Sequence, residues 1–278
     1  MIGIFGLVVV LFLVLVVAGA IVAVVLAITT AQRRGRERTA SLGAYARGRG
    51  WRYEAYRSGL AHRVGLEGTP NATNVVEGTA DGRAFVAFDH TRYVSDGQNG
   101  HRAVPVSVVV VHLGVVVPEL EISRQGALDR FFQGIFGTDH LVGDTVFDDA
   151  VRIRTNSPEF TAEVLTLPMK RLLLARLHRS WRFVGDSLVT VADGQHTPQQ
   201  LEEALGSCLQ VIATIPPQVW ARLQGGGAAA APRDVVRDAV ADPVRDAPAL
   251  PGSEMPGGLF EESVGWQIDP ITGQRRAR

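Results

Sequence analysis

Residues 74–90 read NVVEGTADGRAFVAFDH, and this stretch decides the fold. Two β-rich arms, 74–79 and 83–93, flank Ala80-Asp81-Gly82, and Asp-Gly between such arms is a strong hairpin signal. In the second arm Phe85 and Ala87 alternate with Val86 and Phe88, the period of two that sends side chains to opposite faces of a sheet. The next run, 104–117, is too β-branched for a good helix and reads as a buried central strand with Pro105 and Pro118 at its limits.

Working upstream, Trp51, Tyr53 and Tyr56 suggest an aromatic first strand. Before it, residues 39–49 read as a short helix with Leu42, Tyr45 and Ala46 on its apolar side and Gly48 and Gly50 as stops. Residues 60–71 read as irregular, broken by Gly65, Gly68 and Pro70. Downstream, 119–123 is a further short strand and 127–136 an amphipathic helix through Leu128, Phe131, Phe132 and Ile135. Ser157-Pro158 supplies a cap and a first-position proline for a helix, and Pro168 starts a second. Gly185-Asp186 reads as a two-residue hairpin turn. Thr197-Pro198-Gln199-Gln200 is a capping box, and the helix behind it carries Leu201, Leu205, Cys208, Leu209, Ile212 and Ile215 as one apolar stripe. Residues 39–223 are therefore expected to form one α+β domain, a mainly antiparallel sheet with packed helices.

The two ends differ from that domain. Residues 2–30 carry no charge and contain twenty Leu, Ile, Val or Phe side chains. About 20 apolar residues cross a hydrocarbon core, so 1–32 is expected to be a single N-terminal transmembrane helix in a lipid bilayer. Arg33, Arg34, Arg36 and Arg38 follow at once, a basic juxtamembrane segment over 33–38. By the positive-inside rule they place the N-terminus outside and the domain in the cytoplasm of a single-pass cell-membrane protein. Gly19, Ala23 and Ala27 recur at four-residue spacing, which permits weak self-association of that helix. At the other end, residues 224–278 are rich in Gly, Ala, Pro and Asp and read as a disordered tail. Phe260, Trp266, Ile268 and Ile271 return apolar side chains there, as a short motif for a protein partner would.

Composition narrows function more than it names it. Lysine plus arginine equals aspartate plus glutamate at 28 each, so nucleic-acid binding has no electrostatic footprint. Cys208, the lone cysteine, excludes internal disulfides and CxxC sites, and its place in an apolar stripe marks it as a core thiol. Between residues 33 and 63, nine arginines face Glu37 and Glu54, a net of 9 − 2 = +7, which suits an anionic lipid surface. Asp139, His140, Asp144, Asp148 and Asp149 form the densest acidic and imidazole group; with His90, His101 or His112 they are weak candidates for a hard metal ion in an enzyme. Their spacing matches no known metal loop, and no cofactor motif occurs.

Residues 147–166, FDDAVRIRTNSPEFTAEVLT, follow an apolar anchor, a hairpin and a valine-rich strand. This order resembles an uncharacterised bacterial family of single-span membrane-anchored proteins with a domain of unknown function. Its pattern is Phe-Asp, a strand, a Ser/Asp-Pro turn and a Leu-Thr-Pro helix. Phe147, Asp148, Ser157, Pro158, Leu165, Thr166 and Pro168 fit; Val151 stands where an aromatic is usual, and Leu167 is inserted before the proline. The resemblance covers 39–223 and implies a fold without an activity. The leading expectation is a membrane-tethered, non-catalytic interaction or scaffold domain, ahead of a lipid-surface module and a metal-dependent enzyme.

Overall fold

The computed structural model describes residues 3–95, 100–125, 138–225, 267–268 and 275–276. The first element, α1 (Ile4–Gly48), is one 45-residue helix. Its run of apolar side chains passes without a break into the arginine-rich turns, because nothing there stops it. Thr29 and Thr30 turn their hydroxyls back onto the Leu26 carbonyl at 3.0 and 2.8 Å. The stop comes at Gly50, whose φ of 72° is left-handed. Trp51 N then donates to Ala46 O at 2.8 Å and Gly50 N to Arg47 O at 3.0 Å, the paired bonds of a Schellman ending.

This corrects the expected transmembrane, single-pass anchor. Among the described residues no helix is long and apolar enough to cross a membrane. The apolar run is the first part of a longer helix whose last turns belong to the packed domain: Leu42 and Ala46 lie in the core, and a Cβ on Gly43 would sit 3.3 Å from the Tyr53 ring. The short helix expected at 39–49 is thus the end of α1.

After α1 come β1 (Arg52–Arg57), the single turn α2 (Leu60–Arg63), β2 (Ala72–Ala80), β3 (Arg83–Ser95) and β4 (His101–Arg124). They form an antiparallel meander in which Ala80 pairs with Arg83 across Asp81-Gly82. Both turn residues have positive φ, 50° and 73°, as a type I′ turn requires. The expected hairpin is present; the central strand is longer than its expected proline limits, running through Pro105 and Pro118 and taking in the short strand expected at 119–123. β5 (Thr138–Asp139), α3 (Thr145–Ala150), β6 (Val151–Thr155), α4 (Pro158–Val164), α5 (Leu167–Leu174), β7 (Arg179–Asp193), α6 (Pro198–Thr214) and α7 (Pro217–Gly225) complete the unit. Ser157 caps α4, and Thr197 with Gln200 closes the capping box of α6. The helix expected at 127–136 lies outside the described residues.

β4 organises the sheet. Its first half pairs with β3 and with residues 187–193 of β7; its second half pairs with β6 and with residues 181–185 of β7. β7 is hydrogen-bonded to β4 on both sides of Gly185, yet it is not straight. Thr190 Oγ1 donates to Ser180 O at 3.1 Å, whereas ten residues of extended strand would separate them by about 33 Å. The chain therefore doubles back at Gly185-Asp186, with Gly185 at φ 56°.

Each face of the sheet has its own core. Val76, Phe85, Ala87, Val109, Val111, Leu120, Trp181 and Leu188 face the helices and meet Leu201, Leu205, Cys208 and Ile212 of α6. Val75, Val86, Phe88, Val106, Val108, Val110, Val189 and Val191 face the other way and pack with Leu60, Ala61, Val64 and Leu66. The segment around α2, read from sequence as irregular, is thus a strap over the second face. Glu67 O and Asn71 O hold it to the His90 ring at 2.8 and 3.3 Å. Gly68 (φ 112°) crosses so closely that a Cβ would lie 2.8 Å from Thr91 O.

Residues 1–241 and 242–278 are separate compact units. In the second, the sequence predicts disorder, but its described residues pair as β8 (Gln267–Ile268) and β9 (Arg275–Arg276).

Candidate functional site at the α1 junction

β3 carries Asp89 on the same side as Phe85 and Ala87, so the strand's alternation drives a carboxylate into the helix-facing interior, 1% exposed. Burying an isolated charge is costly, and three segments supply donors to it. Asn74 Nδ2 of β2 donates to Oδ2 at 2.8 Å, and Arg38 Nη1 of α1 pairs with the same oxygen at 3.1 Å. His196, just before α6, places its backbone N at 2.7 Å and its ring Nδ1 at 3.1 Å from Oδ1. Tyr53 OH of β1 donates to Asn74 Oδ1 at 2.9 Å, and Asn74 itself takes a left-handed φ of 52°. Burial alone would raise the Asp89 carboxyl; the His196 and Asn74 donors outweigh it and hold it below the usual carboxylate range. Burial, then the charge of Asp89, pushes the Tyr53 phenol upward.

An Asp–His pair suggests catalysis, but acyl transfer needs a nucleophile on the second ring nitrogen. Among the described residues His196 Nε2 is buried without a hydrogen-bond partner. One carboxylate ties α1 to the sheet and to the start of α6. Tyr45 of α1 and Arg49, which follows its last residue, reinforce the tie through Glu202 of α6.

The acidic group is taken apart by the fold. Asp144 caps α3 by accepting from Phe147 N and pairs with Lys170 at 3.3 Å; the cap and then the lysine hold its carboxyl down. Asp148 accepts the backbone N–H groups of Val142, Gly143 and Asp144 at 3.1, 3.0 and 3.2 Å. Asp139 lies in β5 opposite Arg154, His140 N donates to Ile153 O, and Asp149 is exposed. Among the described residues no three His, Cys, Asp or Glu side chains are placed to hold a metal ion. Of the histidines considered with them, His90 holds the strap, His101 is exposed, and His112 Nδ1 lies 3.1 Å from Asp186. Cys208 is fully buried, which pushes its thiol up to about 12 against the weaker pull of Arg179.

The basic cluster is divided too. Arg38 goes inward to Asp89, Arg49 to Glu202, Arg52 to Glu54, and Arg57 to Glu54 and Glu77. Arg63 is also engaged. Arg33 is exposed and pairs with Glu37 one turn along α1. Arg34, Arg36 and Arg47 are exposed and, among the described residues, have no acidic partner. Gly19 and Ala23 lie exposed on α1, and Ala27 lies further along the same helix. Ile268 pairs with Arg275, while Phe260, Trp266 and Ile271 lie outside the described residues. An open groove of about 410 Å³ runs between α6, α7 and the β2–β3 turn, lined by Leu209, Ile212 and Trp220. Its Arg83 is committed to Leu113 O at 2.7 Å.

Sequence reasoning missed the Asp89 centre. The usable signal was an aspartate continuing the core-facing Phe85, Ala87 alternation, which demands a buried partner.

No family model matches this chain, and no curated protein matches it. A similar solved structure is the crystal structure of the mycobacterial trehalose monomycolate transport factor A, TtfA. It shares 15% identity over 65% of this chain and 97% of that one, with a TM-score of 0.47. At that level nothing about function transfers.

Proposed function

We propose that this chain is a membrane-associated, non-catalytic interaction domain held at the cytoplasmic leaflet. The observation that carries it is the surface of α1. Phe12, Val14, Val16, Val17, Ile21, Val22, Val25 and Leu26 are 49–68% exposed. At about 100° per residue these positions fall on every side of the helix. Exposed apolar side chains in this number are stable only when they meet an apolar partner, and a lipid surface supplies one. Lipid suits that geometry. The non-catalytic half is supported by the duties of Asp144, Asp148, Asp89 and Cys208, each spent on capping, anchoring or packing.

Flotation of the full-length chain with phospholipid vesicles tests the reading. The parent chain should rise with the vesicles. A Val16→Lys/Val22→Lys/Leu26→Lys variant should stay in the bottom fraction with an unchanged circular dichroism spectrum. A parent chain that stays soluble and monomeric below the vesicles refutes it.

A further inference from the structure

We infer that Arg33, Arg34 and Arg36 bind the phosphate of anionic phospholipid headgroups, an inference that rests on the membrane association proposed above. The first observation is direction. With Arg33 at zero, the helix repeat puts Arg34 at about 100°, Arg36 at about 300°, and the core residues Leu42 and Ala46 at about 180° and 220°. The three arginines therefore lie on the side of α1 turned away from the domain, and all are exposed.

The second observation is height. Among the described side chains, Leu26 is the last exposed large apolar residue of α1 before the arginines. Thr29 and Thr30 return their hydroxyls to its carbonyl. The first charged side chain comes at Arg33, about 10 Å further along the axis. The headgroup layer begins where the hydrocarbon ends and is about 5–8 Å deep. With the exposed apolar turns against lipid, the neighbouring guanidinium groups lie within reach of the phosphates.

The third observation is charge and its geometry. Three arginines less Glu37 leave 3 − 1 = +2 on this turn. The Arg33–Glu37 pair is exposed on both partners, 82% and 62%, and is weak in water. A phosphate accepts two parallel N–H bonds from a guanidinium and competes well for it. Of the other arginines of the cluster, Arg38 and Arg57 are committed inside the fold and Arg49 and Arg52 are paired at the surface with Glu202 and Glu54, so the charge nearest the apolar turns is that of Arg33, Arg34 and Arg36.

The test holds the full-length chain in neutral detergent with phosphatidylcholine and a minor share of phosphatidylglycerol, then counts co-purified lipid by mass spectrometry. Phosphatidylglycerol should be enriched over its share of the mixture. Arg34→Gln/Arg36→Gln should cut the enrichment by about fivefold per arginine, following roughly 1 kcal/mol per basic residue. Arg47→Gln, about 20 Å further along α1, should leave it unchanged. Lipids retained in the mixing ratio overturn the inference and leave membrane association standing; no retained lipid overturns both. Loss of enrichment in millimolar inorganic phosphate shows a free-anion site and overturns it, as does an equal effect of Arg47→Gln.

Discussion

Replacing Asp89 by Asn keeps the side chain's shape and removes the charge around which the α1 junction is built. The parent carboxylate accepts from Arg38, Asn74 and two groups of His196 while 1% exposed. The amide can accept on one atom only, so its NH₂ faces donors and the Arg38 charge is left without its partner. Breaking a buried pair in this way costs about 3–5 kcal/mol. For a unit of this size each kcal/mol lowers the melting temperature by about 2–4 °C, so D89N should melt about 6–20 °C below the parent. Arg38→Gln should cost less, about 1.5 kcal/mol, because the carboxylate keeps its other donors. The double variant should fall short of the sum, since both changes remove the same pair. The assay is thermal unfolding of the full-length chain in neutral detergent, followed by circular dichroism across pH. The folded Asp89 carboxyl lies below its unfolded value of about 3.9. Its contribution is therefore complete above that pH and is lost as pH falls through the folded value. The gap between parent and D89N should be constant near neutrality and close below about pH 4. A D89N chain that melts within about 1 °C of the parent at pH 7, or a gap that widens on acidification, would falsify this account.

Other outcomes follow from single contacts. A Cβ at Gly78 overlaps the Trp51 indole, so Gly78→Ala should destabilise by about 1–3 kcal/mol and shift tryptophan emission; an unchanged melt and spectrum means the indole is not seated there. Ile212→Asp puts a charge into the helix-facing core and should cost several kcal/mol, whereas Leu209→Asp at the half-buried groove wall should cost distinctly less; equal melts contradict the burial of the stripe. The Cys208 thiol, buried and pushed up to about 12, should ignore thiol reagents at pH 8 until the chain is unfolded; rapid labelling of the native chain contradicts that burial.

What could be read beforehand was local. Asp81-Gly82, Ser157-Pro158 and the Thr197–Gln200 box each act within four residues, and all three sit as the sequence predicts. The extent of α1 was not legible, because hydropathy divides the run near Thr30 while the backbone continues to Gly48. The strap was hidden for a related reason: glycines at 65 and 68 signal breaks, but only the sheet face beneath shows what Leu60, Val64 and Leu66 are for. Least legible was the polar centre. Residues 38, 74, 89 and 196 share no periodicity, and Arg38 read naturally as one more surface charge until Asp89 was found buried beside it. The acidic group reads in the opposite sense: neighbours in sequence take separate places, with Asp144 and Asp148 each accepting backbone N–H groups and Asp149 exposed.

The unbroken course of α1 has a geometric consequence. At about 1.5 Å per residue, its 45 residues make a rod of about 67 Å. Arg38, Leu42 and Ala46 pin the last turns of that rod to the sheet. With no hinge in between, a twist or tilt applied at the apolar end reaches the domain undiminished. One residue inserted between Thr30 and Arg33 would turn the two ends by about 100° and part them by about 1.5 Å, resetting which surface the domain shows to its surroundings.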